Sequence, residues 1–143
     1  MGESMTAKVT SSPNVSVVPE TRVLRRCLAV IGLIGIALIH LVDVPDKLEE
    51  VPYVGILFGA LIVSSLMIAE MLIRADDARV WLAGGGLAGL TIVGYVISRT
   101  AGLPGDGGAD LGNWTEPLGL VSLLVEAIVV QLTVMRLSRQ SRS

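Results

Sequence analysis

Residues 26–44, RCLAVIGLIGIALIHLVDV, decide how this chain is read. Between Arg26 and Asp43 the only ionisable side chains are Cys27 and His40, and the stretch is long enough, at 1.5 Å per residue, to cross the ~30 Å hydrocarbon layer as a helix. Lipid offers no partner to a bare backbone, so such a run satisfies its N–H and C=O groups internally.

Three further stretches repeat the pattern, at about residues 53–73, 80–102 and 116–135. Polar segments separate them: PDKLEEVP after the first, RADDAR after the second, and LPGDGGADLGNW after the third. The last is rich in Gly and Asp and is read as a turn that no helix continues through. Thr115 before Glu116-Pro117 is read as the start of the fourth helix, with a capping hydroxyl and Pro in the first turn. The expected fold is therefore all-α: a polytopic membrane protein built as a four-transmembrane-helix bundle. Residues 1–21 are read as a flexible cytoplasmic tail, 22–137 as the transmembrane domain and 138–143 as a second cytoplasmic tail. The first apolar run ends in IALIHLVDVP without a small-x-small cleavage site, so it is read as a retained span and not a signal peptide.

Orientation follows from arginine. Arg22, Arg25 and Arg26 precede the first span, Arg74 and Arg79 lie between the second and third, and Arg136, Arg139 and Arg142 follow the fourth. The other two connections carry one basic residue, Lys47, beside Asp46, Glu49, Glu50, Asp106 and Asp110. The Arg-rich side is expected to be cytoplasmic, with both chain ends there. Tyr53 and Trp114 then fall at the outer boundary and Trp81 at the inner one.

Composition excludes several functions. A formal net charge of -2 lacks the basic surface a nucleic-acid partner needs. One cysteine, Cys27, and one histidine, His40, leave no disulfide framework and no multi-His or Cys-rich metal site within one chain. No nucleotide-binding motif and no catalytic constellation is visible, because Gly84-Gly85-Gly86 lies in an apolar run with no Lys after it. No cofactor, no metal and no enzymatic activity are expected. Nine of the eleven basic residues are Arg, which with the abundant Ala, Gly and Val suggests a GC-rich bacterial genome and hence a bacterial plasma membrane.

A wheel of 100° per residue places small and ionisable residues on common stripes. These are Gly32, Ile36, Ile39 and Asp43; Gly55, Gly59, Val63, Leu66 and Glu70; Gly85, Gly89, Ile92, Val96 and Arg99; and Gly119, Ser122, Glu126 and Thr133. Gly55-x-x-x-Gly59 and Gly85-x-x-x-Gly89 have the spacing that lets two backbones approach closely. The stripes are expected to face one another.

A charge at the bilayer centre costs about 2.5 to 3.5 kcal/mol even on the lenient insertion scale, so each one at that depth calls for a reason. His40, Asp43, Arg99, Glu116 and Glu126 form the expected intramembrane polar cluster. Asp43 and Arg99 reach the same height and are expected to pair, with Glu116 as a competitor. His40 and Glu126 lie deeper, about 6 Å apart in height. They are read either as a shared-proton pair or as a structural pair in which Glu126 bonds to Ser122. Glu70 and Arg74, four apart, are expected to form a salt bridge at the inner interface.

The strings IHLVDVPDKLEEVPYVGILF, GYVISRTAGLPG and DLGNWTEPLGLVSLLVE resemble those of small, uncharacterised four-helix membrane proteins of GC-rich bacteria, over about residues 26–130. The resemblance implies the four-span architecture and no activity. Function is expected to be that of a structural or accessory subunit, self-associating as a homo-oligomer or joined to a membrane-protein partner in the lipid bilayer. The alternative is an oligomeric proton or cation channel or transporter that uses the intramembrane cluster.

Overall fold

The computed structural model describes residues 18–140, which form four α-helices: α1 (Val18–Glu50), α2 (Pro52–Arg74), α3 (Ala78–Thr100) and α4 (Pro117–Gln140). All four are long and apolar enough to cross a membrane. Helix starts follow local chemistry. Pro52 and Pro117 stand at first-turn positions, where their missing N–H is no loss. The Asp77 side chain caps α3 by accepting the Arg79 amide at 2.7 Å. The first carbonyl to accept an intrahelical bond in α4 is that of Glu116, one residue beyond the expected cap at Thr115. Helix α3 stops at Thr100 because Gly102 takes φ +76°, a left-handed conformation that glycine adopts without steric cost.

The first helix corrects the sequence reading at both ends. It begins at Val18, inside the expected tail 1–21, and continues through PDKLEE to Glu50, a segment read as a connection. Asp46, Lys47, Glu49 and Glu50 are compatible with a solvated helix, and Pro45 sacrifices one backbone bond without ending it. The resulting 33-residue helix is ~50 Å long. Val51 alone separates it from α2. The rest of the expected first tail, and residues 141–143 of the second, lie outside the described residues.

In space α1 is flanked by α2 and α4, and α3 closes the ring between them, its closer neighbour being α4. At one end Arg26 donates to the Ile73 carbonyl at 2.7 Å and Arg136 Nε to Asp76 Oδ1 at 3.1 Å, so the start of α1, the end of α2 and the end of α4 meet there. In this half the core is apolar: Ala29, Leu33, Ala69, Leu72, Val80 and Trp81, reaching Ile36, Ala88 and Val129 at mid-height. Trp81, near the start of α3, is 1 % exposed, and its indole N–H reaches Asp76 at 2.7 Å.

Stripes on α1 and α4 face inward, whereas the one on α2 does not. Of that stripe Gly55 is buried but Val63, Leu66 and Glu70 are exposed, and α2 buries Val54, Ser65, Ala69 and Leu72 beside Gly55. On α3, Val96 likewise faces out, while Trp81, Gly84, Ala88 and Arg99 are buried. Among the glycines, a side chain on Gly32 would meet Val129 Cγ2 at 2.6 Å, on Gly55 Leu48 Cγ at 2.6 Å, and on Gly85 Thr133 Cγ2 at 2.6 Å. Gly59 and Gly89 would meet nothing within 4 Å, so each glycine pair makes its close approach at one member only.

Candidate functional site

The other half of the bundle holds a partly open chamber of about 210 Å³. From α1 it takes His40, Asp43 and Lys47; from α2, Tyr53, Val54, Leu57 and Phe58; from α3, Thr91, Gly94, Tyr95, Ser98 and Arg99; and from α4, Gly119 and Ser122. Leu103, Asp110 and Glu116 of the segment 101–116 complete the wall. All four helices therefore contribute, and the lining runs from His40 and Ser122 at mid-height to Lys47 and Asp110 beside the connections.

Arg99 organises one side. Its guanidinium is almost wholly buried, with NH1 2.6 Å from Asp110 Oδ1 and NH2 bonded to Glu116 Oε2. Its Cζ sits 4.8 Å over the ring of Tyr95, whose edge meets Trp114 at a centroid separation of 6.1 Å. Gly119 lets that ring lie against α4, because a Cβ there would stand 2.7 Å from Tyr95 Cε2. Lys47 joins the network from α1, with Nζ 2.7 Å from Glu50 and 3.4 Å from Asp110. Asp110 thus bridges a cation on α1 and a cation on α3.

The connecting segment is shaped to deliver Asp110. Gly102, Gly105, Gly107, Gly108 and Gly112 all have positive φ. Asp106 folds the first turn by accepting the Leu103 amide at 3.1 Å and the Gly108 amide at 2.7 Å. These two bonds, Gly108 foremost, hold its carboxyl below the usual carboxylate range. The Gly112 amide then bonds back to the Arg99 carbonyl at 2.9 Å. Asp106 forms no ion pair among the described residues and serves the turn.

At the base of the chamber His40 Nδ1 lies 2.9 Å from the Ile36 carbonyl. A carbonyl only accepts, so this bond keeps a proton on Nδ1 and turns Nε2 toward Glu126. Nε2 stands 4.0 Å from Glu126 Oε1, which the Ser122 hydroxyl bonds at 2.7 Å. Glu126 is 1 % exposed, and its Oε2 has no hydrogen-bond partner among the described residues. Phe58 closes over the imidazole edge-on, at 4.7 Å. Below this layer Leu33, Ile36, Ala88 and Val129 pack together.

The residues singled out in the sequence divide accordingly. His40, Asp43, Arg99 and Glu116 line one chamber, and Glu126 lies behind His40 and Ser122. The expected Asp43–Arg99 pair is not formed, because Asp110 and Glu116 take the guanidinium. Asp43 makes no hydrogen bond or ion pair among the described residues. Glu70 and Arg74 pair at 2.5 Å on the exposed surface, away from the chamber.

No protein-family model, curated protein or solved structure matches the chain. The site must therefore speak for itself.

Sequence reasoning missed Asp110 as the partner of Arg99, and Lys47, Tyr53, Phe58 and Tyr95 as wall residues. A signal for Asp110 was present: the glycines around it free the backbone to fold back on α3.

A second cluster ties the opposite end together. Asp76 accepts from Trp81 Nε1 and Arg136 Nε. Partial burial works against its charged form, but those two bonds and the Arg136 and Arg26 charges outweigh it and hold the carboxyl below its ordinary value. It is a clamp between the 75–77 link and α4.

Proposed function

We propose that this chain is a small multi-pass protein of the bacterial cytoplasmic membrane, with both ends in the cytoplasm. It acts as an accessory subunit that binds a small ligand in its outer half and associates with a second copy or another membrane protein. One observation carries the reading: the polar chamber has a floor. Beneath His40, Ser122 and Glu126 the helices are packed on Leu33, Ile36, Ala88 and Val129, and the buried polar groups beyond them, Ser65, Thr133 and Arg25, do not line the chamber. Conduction needs binding sites in sequence across the bilayer, and a dead-ended chamber suits retention of a ligand. At about 210 Å³ it exceeds the ~150 Å³ cavity that takes up benzene, so it has room for a small organic molecule.

Membrane placement is supported by the arginine distribution and by rows of exposed apolar side chains, among them Ile31, Leu38, Ile56, Leu90 and Leu124. Native mass spectrometry from mild detergent tests the reading. It should find a small species on the wild-type chain that is lost in Thr91→Phe, which fills the chamber. Reconstituted liposomes should leak protons and Na⁺ no faster than protein-free vesicles. Flux that disappears in Glu126→Gln would overturn the proposal in favour of a proton or cation channel.

A further inference from the structure

Resting on that reading of the chamber as a ligand site, we infer that its ligand is a small organic cation: an ammonium head on an apolar, ring-sized body, with Asp43 as counter-ion.

Charge on the walls comes first. Three carboxylates, Asp43, Asp110 and Glu116, face two cations, Lys47 and Arg99. Both cations are already engaged: Arg99 by Asp110 and Glu116, and Lys47 by Glu50 and Asp110. Asp43 is the carboxylate left over. An anion entering here would meet cations already paired and a carboxylate that makes no hydrogen bond or ion pair among the described residues; a cation would find that carboxylate available.

The walls distinguish the kind of cation. A hard metal ion asks for six or more oxygens at short range. Among the described residues no group of three or more His, Cys, Asp or Glu side chains converges in that way. What surrounds the space beside the polar groups is apolar and aromatic: Val54, Leu57, Leu103, Phe58, Tyr53 and Tyr95. Aromatic faces attract a cation whose hydration is weak and whose carbon body needs burial, which describes an organic ammonium ion and not Na⁺. Two rings are committed, Tyr95 under Arg99 and Phe58 against His40, but Tyr53 has no ring or cation contact among the described residues. Volume agrees: about 210 Å³ is a step beyond what benzene alone requires.

Isothermal titration calorimetry on the full chain in detergent, at neutral pH, supplies the test. Three probes share a ring and differ in charge: benzylamine as its ammonium ion, benzyl alcohol and benzoate. Benzylammonium should bind at least about tenfold more tightly than either of the others, ~1.4 kcal/mol. Asp43→Asn should remove that preference while leaving benzyl alcohol affinity unchanged, which also shows that the variant is folded. Binding of the alcohol or benzoate as tight as that of the amine, or an unchanged amine preference in Asp43→Asn, overturns the cation and leaves the chamber as a ligand site of other chemistry. Failure of all three probes to bind, with no difference in Thr91→Phe, overturns the cation and the chamber reading together.

Discussion

His40 Nε2 faces Glu126 Oε1 across 4.0 Å, and each side chain is held in place by one bond of its own, to the Ile36 carbonyl and from the Ser122 hydroxyl. At that separation the two do not hydrogen-bond directly. Among the described residues Ser122 is therefore the one donor that meets the most deeply buried carboxyl.

Removing that donor tests its importance. Ser122→Ala should lower stability by about 1–3 kcal/mol, the cost of an unmet buried polar group. Thr100→Ala removes an exposed hydroxyl that bonds its own helix at Val96 and should change stability by less than about 0.5 kcal/mol. Equilibrium unfolding of both variants in mixed micelles makes the comparison.

Arg99 is the next case. Arg99→Ala leaves Glu116 without its cation and Asp110 with Lys47 alone, and should destabilise by about 3 kcal/mol. Arg99→Lys restores charge but not the two-armed geometry, and should recover only part of the loss. Proteolysis within 101–116, followed by mass spectrometry, should accelerate in both variants, and more in Ala than in Lys.

Gly55 and Gly59 share a spacing motif yet differ in surroundings. A methyl on Gly55 would stand 2.8 Å from the Leu48 backbone nitrogen, which cannot swing away, so Gly55→Ala should cost about 1–3 kcal/mol. Gly59→Ala meets open space and should be neutral or gain up to about 1 kcal/mol from helix propensity. Thermal unfolding of the two variants side by side would show the reversal if the packing were otherwise.

Asp76 predicts an acid limb. Its carboxyl is depressed below the ordinary value of 3.8, so its contribution is complete above that pH and declines as pH falls through the lower folded value. Unfolding followed by Trp81 fluorescence should lose stability below about pH 4, where carboxylates protonate. Asp76→Asn should flatten this limb.

The four helices could be read from sequence because hydropathy over twenty residues is a summed signal, which one Pro or one His does not cancel. The length of α1 could not. Pro45 and four charges in six residues resemble a break, and only the tertiary context, with Val51 turning directly into α2, shows that the helix continues. The inward face of α2 was misread for a different reason. Its glycines and its packed side chains lie on different arcs, and a helical wheel weighs smallness without knowing which neighbour is present. Ser65, Ala69 and Leu72 were the better guide. In the site, His40, Asp43, Arg99 and Glu116 stood out because charges at membrane depth are costly. Asp110 did not, because it sits in a polar segment where a carboxylate is unremarkable.

The one-residue junction at Val51 has a mechanical consequence. With Leu48 seated on Gly55 just across it, the junction leaves α1 and α2 little room to change their angle. The glycine-rich stretch 101–116 gives α3 and α4 the slack that this junction lacks. Any widening of the space between the two pairs falls on the α3–α4 side, and the bond from Lys47 to Asp110 is the latch it would have to release.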